Sequence, residues 1–275
     1  MMRKTILAGL GAAVVGLATA GGLTGCVPNK SSAPERTQLV MGLEDTFAPM
    51  GFVDETGEFA GYDVELAREV CHRRGWTLCL KAINWRAKEE LLRSGQIDCI
   101  WSGFTITDDR LERMVFTPGY LRNEQVLVVR EDSPYHRLKD LKGKVVAVQD
   151  ESSALQALKD SPELHDTLKD VVARKDAAEA LASLGDGTVD AVVIDLMVAN
   201  DSIRRSGQPF RILDEGLAPE EYGIGFRLGD EALAEEVWKT LLEMAADGTV
   251  TRISEKWFGC DISIIPVLFG RGRRH

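Results

Sequence analysis

The stretch 98–110, Asp-Cys-Ile-Trp-Ser-Gly-Phe-Thr-Ile-Thr-Asp-Asp-Arg, carries side chains suited to holding an anion. It begins as a short apolar strand, passes through Ser102, Gly103 and Thr105, and enters a helix whose first turn contains Arg110. A guanidinium forms two parallel hydrogen bonds with a carboxylate, and the backbone N–H groups of Gly103 and Thr105 can add charge-assisted bonds. The alternative is a solvated helix arginine paired with a neighbouring acidic residue.

A second segment rich in hydrogen-bonding groups follows an apolar strand at 145–148. Gln-Asp-Glu at 149–151 leads into Ser152 and Ser153, which begin a predicted helix. Two hydroxyls and free N–H groups at the positive end of a helix also suit an anion. The simpler interpretation is that serine caps the helix, and both interpretations can hold together.

The N-terminus has the features of a secretory signal. Arg3 and Lys4 precede an apolar run over 6–20, and Leu-Thr-Gly-Cys at 23–26 has the composition of a lipoprotein cleavage site. The run is shorter than the roughly 20 apolar residues of a membrane span. We expect residues 1–25 to be a lipoprotein signal peptide, Cys26 to be the lipidated mature N-terminus and residues 26–36 to be a flexible tether. The alternative is an ordinary secretory signal with an incidental cysteine.

Composition excludes several classes of function. The chain has 33 basic and 43 acidic side chains and a net charge of −10, whereas nucleic-acid binding depends on a basic face, so no nucleic-acid partner is expected. The four histidines are scattered, and no nucleophile–base pair, phosphate loop or metal-ligand spacing occurs. We therefore predict no catalytic residue, no metal site and no cofactor.

The apolar periodicity predicts two successive α/β series. Strands are expected at 38–44, 76–83, 97–101, 124–130, 145–148, 170–173, 191–194, 210–213 and 222–226, and helices at 62–74, 87–94, 152–159, 177–184, 231–246 and 249–257, with a loop or hairpin at 47–59. About 240 residues follow the tether, which suits one large domain or two lobes. In two α/β lobes a ligand binds at the carboxyl ends of the strands, in the crevice between them.

Three motifs together resemble the polar amino-acid solute-binding proteins of bacterial ABC importers, extracellular solute-binding protein family 3, in a lipoprotein form. They are Gly61-Tyr62-Asp63, the 98–110 segment with Thr-Ile-Thr-x-x-Arg at its end, and Asp190-x-x-x-x-Asp195. The resemblance implies an α/β fold of the two-lobe, type II periplasmic-binding-protein kind, each lobe a mixed sheet flanked by helices, with the ligand cleft between the lobes. Lobe 1 would comprise 37–121 plus 217–261 and lobe 2 would comprise 122–216, while 262–275 is a tail of unknown role.

The resemblance also assigns ligand contacts. Residues expected to bind the ligand are Glu44, Phe47, Trp85, Ser102, Gly103, Thr105, Arg110, Ser152, Ser153 and Asp195. Arg110 would hold the carboxylate of an amino acid, and Asp195, which ends an apolar strand, would hold the ammonium group. The alternative for Asp195 is an N-cap, and for Trp85 it is core packing.

Two details of this resemblance remain open at the level of sequence. A disulfide between Cys71 and Cys79 is implied by some members, which carry cysteines at nearly this spacing. Glu151 stands where the family usually has glycine, so its side chain must point outward or the loop must differ.

The implied function is an extracytoplasmic, membrane-anchored lipoprotein, acting as a monomer, that binds a polar amino acid and delivers it to an ABC permease with its ATPase subunit. The same fold also occurs in periplasmic cyclohexadienyl dehydratases, for which Glu44 is the one suitable acid, and a ligand sensor or adhesin is a further alternative. The sequence leaves open which amino acid is bound.

Overall fold

A long mixed β-sheet organises the fold, seen in a computed structural model that describes residues 36–267. The predicted signal peptide, Cys26 and nearly all of the predicted tether lie outside the described residues, as do residues 268–275. The elements up to residue 116 are β1 (Gln38–Leu43), β2 (Thr46–Phe47), β3 (Gly51–Val53), β4 (Phe59–Ala60), α1 (Tyr62–Arg74), β5 (Thr77–Ala82), α2 (Lys88–Arg93), β6 (Cys99–Thr105), α3 (Asp108–Leu111) and β7 (Met114–Phe116).

The chain then enters the second series and returns. These elements are β8 (Leu121–Arg130), β9 (Val145–Gln149), α4 (Ser153–Lys159), α5 (Pro162–His165), β10 (Asp170–Arg174), α6 (Ala177–Gly185), β11 (Ala191–Asp195), α7 (Leu196–Ser206), β12 (Phe210–Ile212), β13 (Ala218–Arg227), α8 (Glu231–Ala246) and α9 (Thr249–Phe258). Helix α1 has the predicted bounds because Gly75 adopts a left-handed conformation with φ of 68° and its N–H bonds to the last helical carbonyls.

The strand order is β10-β9-β11-β8-β13-β6-β1-β5. Strand β1 pairs in parallel with β5 and β6, and we call this half of the sheet lobe 1. Strand β9 pairs in parallel with β10 and β11, and we call this half lobe 2. Every residue of β11 is buried, as expected for a parallel strand covered on both faces.

Strands β8 and β13 connect the two lobes. They pair antiparallel from Leu121 opposite Tyr222 to Gln125 opposite Ala218. Beyond this ladder β8 pairs with β11, while β13 pairs with β6. The sequence pattern predicted both strands to begin later, at 124 and 222, because their first four residues contain charged side chains or proline and lack apolar alternation.

Strand β6 also differs from its prediction. It extends to Thr105 rather than ending at Trp101, and all seven of its residues are buried. Ser102 and Gly103 have weak strand propensity, so the sequence pattern did not indicate that the strand continues through them. Pairing of Thr105 with Tyr222 on β13 supplies the tertiary context that keeps the segment extended.

The C-terminal helices return to lobe 1, as the resemblance implies. Helices α8 and α9 contact α1, and the Arg74 Nε donates to the Thr240 Oγ1 at 2.7 Å. The predicted tail begins as part of the core, because the Ile264 N–H donates to the Tyr120 carbonyl at 3.0 Å and the Ile265 side chain is buried. Within residues 36–267 no helix is both long and apolar enough to cross a bilayer.

The disulfide implied by the resemblance is not formed in the structure. Cys71 on α1 and Cys79 on β5 are both free thiols. Burial raises the pKa of the Cys71 thiol to about 12. Because the thiolate is the species that enters disulfide exchange, this burial disfavours oxidation of Cys71.

The tight packing of β13 against β6 gives a stability prediction. A Cβ added at Gly225 would lie 2.8 Å from the Phe104 ring and 3.1 Å from the Met114 sulfur. We expect Gly225→Ala to lower the free energy of unfolding by about 1–3 kcal/mol through overpacking, measured by urea denaturation. Gly185→Ala is the control, since its nearest neighbour would lie at 3.7 Å. Equal stability of the two variants would contradict this account.

Candidate functional site

A cavity between the lobes collects nearly all of the predicted binding residues. It is lined by Glu44, Phe47, Trp85, Gly103, Thr105, Arg110, Gln149, Ser152, Ser153 and Asp195. Gln149 lines the cavity but was not predicted to do so, whereas Ser102 was predicted and does not line the cavity. The free space of about 10 Å³ holds roughly one water molecule, so these walls must separate before a larger molecule enters.

Arg110 is a buried cation that has no carboxylate partner within the described part of the chain. Its side chain is 6% exposed, its Nη1 donates to the Thr105 carbonyl at 2.7 Å, and its guanidinium lies 4.3 Å from the centre of the Phe104 ring. Among residues 36–267 no carboxylate oxygen lies within 4.0 Å of it, so the surface-pair alternative is wrong. Burial lowers the pKa of Arg110 to about 10.

Lys88 is a second buried cation, which the sequence analysis missed. Its Nζ donates to the carbonyls of Trp85 at 3.3 Å and of Glu151 at 3.0 Å, the second of these across the cleft. Burial lowers the pKa of Lys88 to about 8. A lysine at the start of a polar helix is indistinguishable in sequence from a surface lysine, so no signal marked it. Lys88 and Arg110 make one side of the cleft attractive to an anion.

Asp195 lies on the opposite, acidic side. Its Oδ1 accepts hydrogen bonds from the Asn123 Nδ2 at 2.8 Å and the Tyr222 hydroxyl at 2.6 Å. Asp195 stands at the N-cap position of α7, as the alternative predicted, but its side chain makes no capping bond there. Burial raises the pKa of Asp195, which makes its charge costly unless a donor or cation approaches.

Glu220 on β13 is a second acid on this side, and it too was missed. Its Oε1 accepts from the Asn123 Nδ2 at 2.5 Å and the Gln125 Nε2 at 2.8 Å. Burial, followed by the charge of Asp195, raises the pKa of Glu220 to about 8. It lies in a polar stretch, Pro-Glu-Glu at 219–221, that resembles an ordinary surface loop in sequence.

The two connecting strands explain why these polar side chains meet. Alternate residues of a strand face the same side of the sheet, so Asn123 and Gln125 share a face, as do Glu220 and Tyr222. In the observed register Asn123 is opposite Glu220, and Gln125 is opposite Asp195. The acidic group is therefore assembled by strand pairing.

Glu44 joins the lobes at the inner end of the cavity. It is 6% exposed, and its Oε1 accepts from the Gln149 Nε2 at 2.6 Å. Burial raises the pKa of Glu44 to about 8. The rings of Phe47 and Trp85 are buried and line the same cavity, where they form apolar walls.

Ser102 and Gly103 hold the strand in place instead of offering donors to a ligand. The Ser102 hydroxyl accepts from the Glu44 N–H at 3.1 Å, and the Gly103 N–H donates to the Asp63 Oδ2 at 2.7 Å. The prediction that the Gly103 N–H donates to the ligand is therefore wrong, because this N–H already donates to the fully buried Asp63. Gly103 itself is required here, since its φ is 56° and a Cβ would lie 2.7 Å from the Phe47 ring.

The two serines at the start of α4 have different roles. The Ser152 hydroxyl accepts from the Leu155 N–H at 3.2 Å, which is the predicted cap. The Ser153 hydroxyl lies 3.0 Å from the Thr105 hydroxyl of lobe 1. Glu151 is exposed and has a φ of 55°, so its side chain points away from the cavity as required.

Opposite charges therefore face each other across a small cavity whose walls come from both lobes. This arrangement can hold a molecule with a carboxylate at one end and an ammonium at the other. Within residues 36–267 no three histidine, cysteine or acidic side chains converge on a metal position.

The unpaired state of Arg110 predicts its effect on stability. Arg110→Met should leave the free energy of unfolding unchanged or raise it by up to about 2 kcal/mol, because an apolar side chain removes an uncompensated buried charge. Arg227→Met is the control: Arg227 donates to the Leu92 carbonyl and pairs with Asp230 at 2.6 Å, so its loss should destabilise by about 1–3 kcal/mol. A larger loss at Arg110 than at Arg227, measured by urea unfolding, would show that Arg110 is structural.

Known proteins resemble this chain over almost its whole described length. The L-cystine-binding protein TcyJ of Escherichia coli strain K12 is 30% identical over 231 residues, covering 83% of this chain and 85% of that protein. The arginine-binding extracellular protein ArtP of Bacillus subtilis strain 168 is 28% identical over 260 residues, covering 94% and 98%. A substrate-binding protein of an ABC uptake transporter from Streptococcus pneumoniae, solved with bound histidine, has a TM-score of 0.81 at 33% identity and covers 82% of this chain and 94% of that one.

These likenesses confirm the expected fold, the two-lobe type II periplasmic-binding-protein fold, and the expected family. The family of bacterial extracellular solute-binding proteins, family 3, matches residues 39–260, which include every residue of the cavity. The chain belongs to that family.

Proposed function

We propose that this protein binds a polar amino acid between its two lobes. The observation that supports this most strongly is the pairing of unlike, incompletely compensated charges within one cavity. Arg110 has no carboxylate partner among residues 36–267, and the acidic Asp195 lines the same space. An amino acid compensates both, since its carboxylate and ammonium groups are fixed on one carbon atom.

In the proposed complex the ligand carboxylate binds the Arg110 guanidinium, with the Lys88 ammonium nearby and the Thr105 and Ser153 hydroxyls as further donors. The ligand ammonium binds Asp195. Each contact pairs a buried charge that is otherwise costly, so the ligand contributes more binding free energy than it would at an exposed site. These contacts bind the α-carboxylate and α-ammonium groups of the ligand. The ligand side chain would contact Glu44, Phe47 and Trp85.

Glu44 and the two aromatic rings would set the side-chain preference. A protonated Glu44 can both donate and accept a hydrogen bond, whereas a cationic ligand would favour its ionised form. Relatives bind cystine and arginine, and the pneumococcal structure contains histidine. These three amino acids are the first candidates for this chain.

Binding would favour closure of the lobes about β8 and β13, with lobe 1 as 37–121 plus 217–261 and lobe 2 as 122–216. Contacts across the cleft already include an ion pair of Arg86 with Asp150 and the Lys88 bond to the Glu151 carbonyl. A ligand that touches both lobes only when they are closed shifts the equilibrium to that state.

The closed form would deliver the amino acid to an ABC permease driven by its ATPase subunit. We propose that the protein is a monomeric lipoprotein outside the cytoplasm, attached through Cys26 to the cell membrane. The match to amino-acid-binding proteins of transporters supports this role over catalysis, sensing or adhesion.

The ligand can be found by a thermal-shift screen of the twenty amino acids and cystine, followed by calorimetry. Ligands of the native state raise the melting temperature in proportion to the logarithm of concentration over Kd. We expect at least one amino acid to raise it. No shift, together with turnover of prephenate or arogenate, would instead favour the dehydratase alternative.

Arg110→Ala and Asp195→Ala should each weaken binding of that amino acid by about 2–5 kcal/mol, because each leaves a ligand charge buried and unpaired. Arg93→Ala is the matched control, since Arg93 is 78% exposed and pairs with Glu90 on the surface. Calorimetric affinities of the two cleft variants within twofold of wild type would reject the site.

Lipid attachment predicts a separate phenotype. Cys26→Ala should move the protein from the membrane fraction to the soluble fraction, because it removes the thiol that carries the lipid. Fractionation of cells followed by immunoblotting measures this. Cys260→Ala, which alters an exposed thiol elsewhere, should stay with the membrane. Membrane retention of the Cys26 variant would contradict lipid anchoring.

A further inference from the structure

Asp195 lines the cavity, and Glu220 lines the adjoining part of the cleft together with Arg110, Thr105 and Ser153. The Asn123 Nδ2 donates to one oxygen of each, at 2.8 Å to Asp195 and at 2.5 Å to Glu220, so one amide holds the two carboxyl groups close together. Two buried carboxyl groups held this close repel each other when both are ionised. This repulsion, together with the burial that raises both pKa values, favours one negative charge and one proton on the pair.

The surroundings of this pair have more acceptors than donors. The Gln125 Nε2 donates to Glu220, which fixes the orientation of the amide, and the buried Gln125 Oε1 accepts from no residue among 36–267. An ammonium group offers three donors and no acceptor, which matches this deficit.

We infer that Glu220 is a second ligand-binding acid, which joins Asp195 in holding the ligand ammonium, and that binding expels the proton that the two carboxyl groups share. This inference rests on the proposed function. It adds Glu220 to the proposed binding residues, and it adds the release of a proton to the binding reaction. Before binding, one carboxylic acid and one carboxylate are present. Afterwards two carboxylates face the ammonium, and the proton has passed to the solvent.

Other charged groups near Asp195 and Glu220 influence whether the pair keeps or loses its shared proton. Arg110 faces Glu220 from α3 and favours its ionised form, while Glu44 faces Asp195 from β1 and disfavours added negative charge. Tyr222 beside Asp195 stays neutral, because burial raises its pKa well above the usual value. A pKa of Glu220 raised to about 8 favours the shared proton at neutral pH, and a bound ammonium would displace it.

The test is calorimetry of the full-length protein with L-arginine, L-histidine and L-cystine at about pH 7, in phosphate and in Tris. These buffers differ in enthalpy of ionisation, so the difference in observed heat counts released protons. We expect wild type to release up to one proton per ligand, and its affinity to rise by about tenfold per pH unit below pH 8.

Glu220→Gln should lose most of this proton release and most of the pH dependence while it still binds. The amide oxygen that this substitution introduces still accepts from Asn123 and Gln125, but the side chain has no acidic proton to expel. The matched control is Glu221→Gln: Glu221 is exposed and faces the other side of the same strand, so this variant should behave as wild type. Glu44 and Lys88 are present in all three proteins, so the comparison isolates the substitution of Glu220.

The outcomes are distinguishable. If neither these three probes nor any other amino acid of the thermal-shift screen binds the wild type, the proposed function fails and the inference fails with it. If wild type and Glu220→Gln bind with equal affinity at every pH and release equal numbers of protons, the function stands and the role of Glu220 is rejected. Loss of binding in Asp195→Asn, with retention in Glu220→Gln and a lower proton count, supports the inference.

Discussion

The structure depends on the burial of unlike charges that the protein itself does not fully pair. Removing an ion from water costs about several kcal/mol even after relaxation, and a native fold ordinarily compensates that cost with a partner. Among the described residues Arg110 has only a carbonyl and an aromatic ring as partners, and Asp195 shares its environment with a second acid. The proposed zwitterionic ligand would compensate both groups at once.

The same constraint explains the arrangement of the two lobes. Strands β8 and β13 bring polar residues from separate parts of the chain to one face, and their pairing register places Asn123 opposite Glu220. Asp63 is a buried acid with a structural role. It accepts hydrogen bonds from the Gly103 N–H and the Tyr120 hydroxyl, and so it fixes the strand that leads to Arg110. The binding residues are therefore positioned by buried hydrogen bonds from residues that do not themselves meet the ligand.

The sequence predicted the apolar strands, the main helices and Arg110, because local periodicity and motif spacing carry that information. It missed Lys88 and Glu220, whose burial arises only when distant strands pair and the lobes meet. It also assigned a free N–H to Gly103, since the contact with Asp63 spans 40 residues and leaves no local pattern. Long-range polar contacts were thus the part that sequence reasoning could not supply.

The small size of the cavity constrains how the proposed ligand could enter. The cavity is nearly filled by its own side chains, so the lobes must open before the proposed amino acid can enter or leave. The most direct test of the central claim is a crystal structure with the amino acid that gives the largest thermal shift. The account predicts the ligand carboxylate on Arg110 and its ammonium on Asp195, within hydrogen-bonding distance of both. A ligand bound elsewhere, or with its charged groups reversed, would contradict it.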